Sequence, residues 1–232
     1  MSKYILLLET ATDSCSVALA DNTEIIAEKY INQPKAHASL LARYISDILK
    51  ENNITMAECS AVAVSKGPGS YTGLRVGVSC AKGLCYGASK PLVAVCTLAT
   101  IAQGAIDNNL FTGEGDYTIV PMIDARRMEV YTANFNSKGE QLTPVEAKIL
   151  DENSYAELLA AGPVLFTGNG AEKFKELVGN NPNAHFAPQQ PHASSMRIIA
   201  ANRLEKGEIE DNAYFEPFYL KDFVAGKPKK LL

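Results

Sequence analysis

The chain has 232 residues, 47% apolar and 21% charged, an ordinary globular composition that fits one large domain or two small ones. A formal net charge of −4 argues against a protein that grips nucleic acid by itself. Five cysteines (Cys15, Cys59, Cys80, Cys85 and Cys96), an odd number without a CxxC pair, argue against a disulfide framework or a zinc ribbon and read as small buried thiols.

Near the N-terminus, Lys3 precedes the apolar run Tyr4-Ile5-Leu6-Leu7-Leu8, which Glu9 ends. That run is too short for a signal core or a membrane span, so a cytoplasmic protein is expected. Residues 4–9 read as a buried strand, 15–20 as a second and 24–31 as a third, with Asp21-Asn22 turning between the last two. A helix is expected from about Lys35 to Glu51, because Leu40, Leu41, Tyr44, Ile45, Ile48 and Leu49 recur at helical spacing and Pro34 suits its start. A strand at 61–65, a glycine-rich loop and a helix to about Tyr86 follow, with Gly87 placed to cap it. A strand at 92–96 and a helix from near Thr97 complete this half.

The second half starts the pattern again. Strands are expected at 117–123, ending in Asp124, at 128–135 and over the extended segment 139–149. A helix over 151–160, a strand at 164–167 and Gly168-Asn169-Gly170 opening another helix come next. Leu6-Leu7-Leu8-Glu9 lies over Pro121-Met122-Ile123-Asp124 at an offset of about half the chain. A duplicated α/β actin-like fold is therefore expected, with two βββαβα halves covering 1–108 and 109–232. A ligand in such a fold lies between the halves, near strand carboxyl ends, which marks Glu9, Thr10, Thr12 and Asp124 as candidates.

The loop SKGPGSYTGLR (65–75) sits between a strand and a helix but fails three motifs. The third glycine of G-x-G-x-x-G falls one residue late, no glycine is followed by lysine and a hydroxyl in the P-loop frame, and Pro68 and Thr72 replace the glycines of G-x-S-x-G. Gly67, Gly69, Ser70 and Thr72 leave two readings open: an anion contact at a helix N-terminus, or a tight turn that needs glycines for its shape. In the helix that follows, Gly73, Gly77 and Ala81 stand four residues apart, and Gly83 adds a third interior glycine. Each glycine costs about 1 kcal/mol relative to alanine, which close approach of another backbone would offset. That backbone belongs either to the protein's own sheet and helix or to another subunit. The second reading is taken, with Leu40, Leu41, Tyr44, Ile48, Gly73, Gly77 and Ala81 as the interface and Arg75 orienting the loop.

The segments LLLETATDSCSVALAD, KAHASLLARYISDILK, SKGPGSYTGLRVGVSCAKGLCYG, IDARRMEVY and EPFYLKD, in this order, closely resemble the bacterial TsaB (YeaZ) family. The resemblance spans nearly the whole chain and is strongest over residues 1–135. It implies a non-catalytic scaffold in the formation of threonylcarbamoyladenosine beside the anticodon of tRNAs reading codons that start with A. The implied partners are a catalytic transferase paralogue, an ATPase subunit and a second copy of the chain, with tRNA met only through the complex. The catalytic relative carries H-x-x-x-H; here His37 is followed four residues later by Leu41, so half of that site is missing and no metal is expected. His37 itself reads as a surface helix histidine. No tightly bound cofactor is expected, though ATP or ADP at subunit interfaces stays open. The lysine-rich tail 221–230 is either a minor phosphate contact or simply solvated. The rival is an independent actin-like enzyme, an ATP-dependent phosphotransferase or a peptidase, which would hydrolyse nucleotide alone and need a metal.

Overall fold

A computed structural model describes residues 3–34 and 37–221. The first half runs β1 (Tyr4–Glu9), β2 (Ser14–Asp21), β3 (Glu24–Asn32), α1 (His37–Glu51), β4 (Cys59–Gly67), α2 (Tyr71–Ala88), β5 (Leu92–Cys96) and α3 (Thr97–Asp107). The second runs β6 (Thr118–Asp124), β7 (Glu129–Thr132), β8 (Phe135–Asn136), β9 (Glu146–Ile149), α4 (Ala156–Ala161), β10 (Val164–Thr167), α5 (Ala171–Val178) and β11 (Ala184–Ala187). A 3₁₀ turn over Ala193–Met196 then leads into α6 (Arg197–Glu205).

The duplication is visible in the strand order. One sheet is ordered β3-β2-β1-β4-β5; the other, read from its opposite edge, is β9-β7-β6-β10-β11. In each, the first strand is antiparallel to the second and parallel to the fourth. The central strands β1 and β4 are covered on both faces, so their apolar runs are nearly continuous, whereas the edge strand β3 is largely exposed. The fold is a duplicated, actin-like α/β architecture.

Four apolar clusters cover the two faces of the two sheets. One face of the first sheet packs on α1 and α2 through Leu41, Ile45, Ile48, Val78 and Ala81. Its other face takes Ala193, Met196 and Ala200 from the late helices. Helix α3 in turn packs Leu98, Ile101 and Ala105 against Ile119, Phe135 and Leu165 of the second sheet. The expected division at residue 108 separates the sheets but not the packing: the halves exchange their last helices, because each sheet leaves one apolar face for the other half to cover.

Several boundaries differ from expectation for local reasons. Helix α2 continues through Gly87 to Ala88, and Ser89 in the left-handed region (φ 52°) ends it, its N–H directed at Cys85 and Tyr86 carbonyls. The segment 128–135 breaks into β7 and the short β8, and only 146–149 of the third extended segment pairs. Helix α4 starts at Ala156, after a turn closed by Asp151 and Ser154. The expected helix start at Lys35 lies outside the described residues, as does the tail beyond Lys221. Among the described residues, no helix is long and apolar enough to cross a membrane.

Candidate functional site

The carboxyl ends of β1 and β4 meet the glycine loop, and the close fit there explains its glycines. A Cβ on Gly69 would lie 2.3 Å from the Ala11 carbonyl oxygen, and one on Gly67, whose φ is +113°, would lie 2.6 Å from the Phe218 carbonyl oxygen. Ser70 N–H donates to the Ala11 carbonyl (2.7 Å), and Phe218 N–H to the Lys66 carbonyl (2.7 Å). Of the two readings left open for the loop, the tight turn is realised: the glycines admit the β1–β2 loop on one side and the C-terminal segment on the other. Ser70 caps α2, its Oγ accepting from Gly73 N–H, while Thr72 stays exposed.

Glu9 lies beneath this junction, fully buried. Burial pushes its carboxyl up to about 7, against hydrogen bonds from the Ala11 N–H (2.6 Å) and the Ser65 hydroxyl (3.0 Å) that favour the charged form. Its Oε2 has no hydrogen-bond partner. The N–H of Thr10 donates to Ser65 Oγ, and Thr10 Oγ1 donates to the Gly73 carbonyl (2.8 Å). Thr12 is buried too, donating to Gln190 Oε1 (3.0 Å), while Ser14 Oγ donates to the Pro191 carbonyl. Glu9, Thr10 and Thr12 are thus together, as expected for a cleft, but the protein's own groups fill it. Asp124 is exposed and pairs instead with Lys173 (2.7 Å), its N–H donating to Asn169 Oδ1.

The expected interface stripe requires correction. Gly73, Gly77 and Ala81 are buried within the chain: a Cβ on Gly73 would meet the Thr10 carbonyl oxygen at 2.1 Å, and one on Gly77 the Thr10 Oγ1 at 2.2 Å. The backbone that these small residues admit is the end of β1, not a second subunit. Leu41 and Ile48 are buried in the same core, leaving only Leu40 and Tyr44 of the α1 set half-buried. The outer side of α2 is different. Gly83 and Gly87 face open space, Tyr86 between them is 84% exposed, and Val76, Cys80 and Leu84 are only partly covered. The missed signal is the polar spacing Thr72, Arg75, Ser79, Lys82 and Tyr86, which marks the outward side of the helix and places Gly83 on it.

Arg75 lies between the end of the glycine loop and the C-terminal segment. Its guanidinium lies 4.6 Å over the Tyr71 ring, and a hydrogen bond with Tyr219 leads the influences that raise its pKa. It holds the returning C-terminal segment, as does Lys82, which donates to the Ala213 and Phe215 carbonyls. His37 is buried rather than on the surface, its Nε2 lying 2.7 Å from the Thr12 carbonyl oxygen and 3.0 Å from that of Ser14. Among the described residues, no group of three His, Cys, Asp or Glu side chains is placed to hold a metal ion.

The model of a family described as TsaD: tRNA N6-adenosine threonylcarbamoyltransferase matches residues 24–229. The chain is 31% identical to the tRNA threonylcarbamoyladenosine biosynthesis protein TsaB of Escherichia coli, over 96% of each chain, and 32% identical to that of Bacillus subtilis, over 75% of this chain and 74% of the relative. Among solved structures, YeaZ from Pseudomonas aeruginosa superposes with a TM-score of 0.80 at 28% identity, covering 94% of this chain and all of that one. Component A of the (R)-2-hydroxyglutaryl-CoA dehydratase of Acidaminococcus fermentans shares the fold alone, with a TM-score of 0.52 at 11% identity over 89% of this chain and all of that one. With the sequence alike over 96% of each chain and the fold over 94% of this one, the chain belongs to the TsaB (YeaZ) family.

Proposed function

We propose that the chain is a non-catalytic subunit of the assembly that forms threonylcarbamoyladenosine beside the anticodon of tRNAs reading codons that start with A. Its work is to dock the catalytic actin-like transferase; it rests as a homodimer, and an ATPase subunit joins the assembly. The relatives' names place them in this biosynthesis. The observation that carries the docking role is the open outer stripe of α2. Gly83 and Gly87 leave room for a foreign helix backbone, and half-buried Leu40, Tyr44, Val76, Cys80 and Leu84 offer apolar contact beside it.

Two further features favour a subunit over an independent enzyme. His37 is engaged with backbone carbonyls, and Leu41, in the core, stands where a second histidine would complete a metal half-site. At the glycine loop, the amide groups of Thr10, Ala11, Ser70 and Gly73 already donate within the chain, that of Ala11 to the Glu9 carboxyl, which leaves fewer free donors for a nucleotide phosphate. In this reading a nucleotide binds where subunits meet.

The test is Gly83→Leu, examined by sedimentation and by reconstitution with the transferase and ATPase subunits. The variant stays folded, loses self-association and partner binding, and yields no modified adenosine, whereas the wild-type chain supports modification only with its partners. Product from the isolated chain, or normal assembly by Gly83→Leu, refutes the proposal.

A further inference from the structure

The turn between β6 and β7 is built against local preference. Ala125 N–H donates to the Glu129 carbonyl (3.1 Å) and Glu129 N–H to that of Arg126 (3.2 Å), so residues 126–128 form a three-residue tip. Arg126 and Arg127 both occupy the left-handed region, with φ of 70° and 48°. That conformation costs a long side chain about 1–3 kcal/mol, and Gly, Asn and Asp relieve it. Asn22, Asn53 and Asn109 follow that preference at φ of 54°, 55° and 49°, while Ser89 and Tyr155 hold the conformation singly, at 52° and 61°; only Arg126 and Arg127 do so side by side among the described residues. Two adjacent arginines in such a turn impose a local cost that their backbone role does not explain.

Their surroundings say what the side chains are for. Both arginines are exposed, and neither has an ion pair among the described residues. The nearby carboxylates are already engaged, Asp124 by Lys173 and Glu129 by Lys221. Two exposed guanidinium groups therefore stand without an ion pair among the described residues, in a chain whose net charge is −4. A guanidinium binds phosphate oxygens through paired donors, and a narrow hairpin tip lacks the wide apolar surround that makes an arginine a protein–protein anchor.

We propose that the Arg126–Arg127 tip contacts the phosphodiester backbone of RNA. The proposal rests on the reading that the assembly acts on tRNA, and adds that this chain touches the substrate directly.

The experiment compares the complete assembly carrying wild-type chain with one carrying the double variant Arg126→Asn and Arg127→Gly. A fluorescently labelled, unmodified tRNA transcript is titrated with each between about 50 and 200 mM salt. Loss of two phosphate contacts weakens binding roughly tenfold or more and flattens the slope of log K against log salt by about 1.5–2. The unfolding midpoint of the variant chain stays level or rises, because Asn and Gly accept the turn. Unchanged affinity and slope overturn the proposal. So does a lowered midpoint, which assigns the arginines to the fold, or loss of partner subunits with an unchanged slope, which assigns the tip to protein contact. Modification by the wild-type assembly is the separate control: no product there removes the tRNA reading and the proposal with it, whereas product with unaltered variant binding removes the proposal alone.

Discussion

Helix α2 has glycines of two kinds, and alanine substitution tells them apart by sign. In a helix interior, Gly→Ala gains about 1 kcal/mol from backbone propensity alone. At Gly83 a Cβ meets nothing, so Gly83→Ala gains most of that, raising the midpoint by a few degrees for a chain of this size. At Gly73 the same Cβ would stand 2.1 Å from the Thr10 carbonyl oxygen, where ordinary contact begins at 3.4 Å. Relieving that gap moves α2 and the β1–β2 loop apart by more than 1 Å, an overpacking cost of about 1–3 kcal/mol. It also strains the 2.8 Å bond from Thr10 Oγ1 to the Gly73 carbonyl, a buried interaction worth about 1–3 kcal/mol when one partner is stranded. After the propensity gain, the net loss is about 1–5 kcal/mol. Urea and thermal unfolding of the two variants give the measurement. A second background sharpens it. At Gly77 the obstacle is the Thr10 hydroxyl, so Thr10→Ala rescues Gly77→Ala; at Gly73 the obstacle is the Thr10 backbone, and the same change rescues nothing. A Gly73→Ala chain as stable as wild type, or one rescued by Thr10→Ala, refutes the inward packing of the stripe.

Buried Glu9 and half-buried Glu28 give opposite pH dependences. Glu9 has a folded value of about 7 against an ordinary 4.5, so it contributes stability that declines as pH rises from about 4.5 to 7. Glu9→Gln removes that decline, and the variant gains about 3 kcal/mol on wild type between pH 4.5 and 8 by urea titration; parallel curves contradict it. For Glu28, burial acts upward, but hydrogen bonds from His192, Ser16 and Ser194 outweigh it and bring the carboxyl down to about 2. Its contribution is complete above pH 4.5 and lost as pH falls towards 2, so Glu28→Gln lowers stability at pH 7 and flattens the acid limb of the curve, by about 3 kcal/mol over that window. An acid limb identical to wild type counts against this network, through which Ser194 and Ala193 N–H, the latter via Ser16 Oγ, tie the 3₁₀ turn to β2 and β3.

The framework was legible because burial on both faces leaves a plain mark. Ile5–Leu8, Val164–Thr167 and Leu92–Cys96 are continuous apolar runs and became central or well-covered strands. The 3.6-residue period of α1 marked its apolar residues as a set, but not which of them face the core; Leu41, Ile45 and Ile48 are buried, two of them having been assigned to the interface. The exchange of α3 and α6 between the halves left no local signal, because an apolar helix face reads alike whichever sheet it covers. The burial of His37 was hidden similarly: its partners are carbonyls of the β1–β2 loop, more than 20 residues earlier.

The glycine stripe shows why composition alone misassigned the contact. Small residues at i, i+4 and i+8 specify that some backbone comes near; they do not specify whose. Here the backbone is that of Thr10, which lies 63 residues before Gly73 and whose hydroxyl closes the contact. The discriminating feature was the opposite side of the helix. Thr72, Arg75, Ser79, Gly83 and Tyr86 are exposed at spacings of three and four, so the outward face runs through Gly83 and not through Gly77. A glycine on the inward face is required by a neighbour that the fold already contains, and its cost is offset there. Gly83 and Gly87 meet no such neighbour among the described residues, so nothing there offsets a cost of about 1 kcal/mol for an interior glycine, and the outward face they share is the one on which the docking proposal rests.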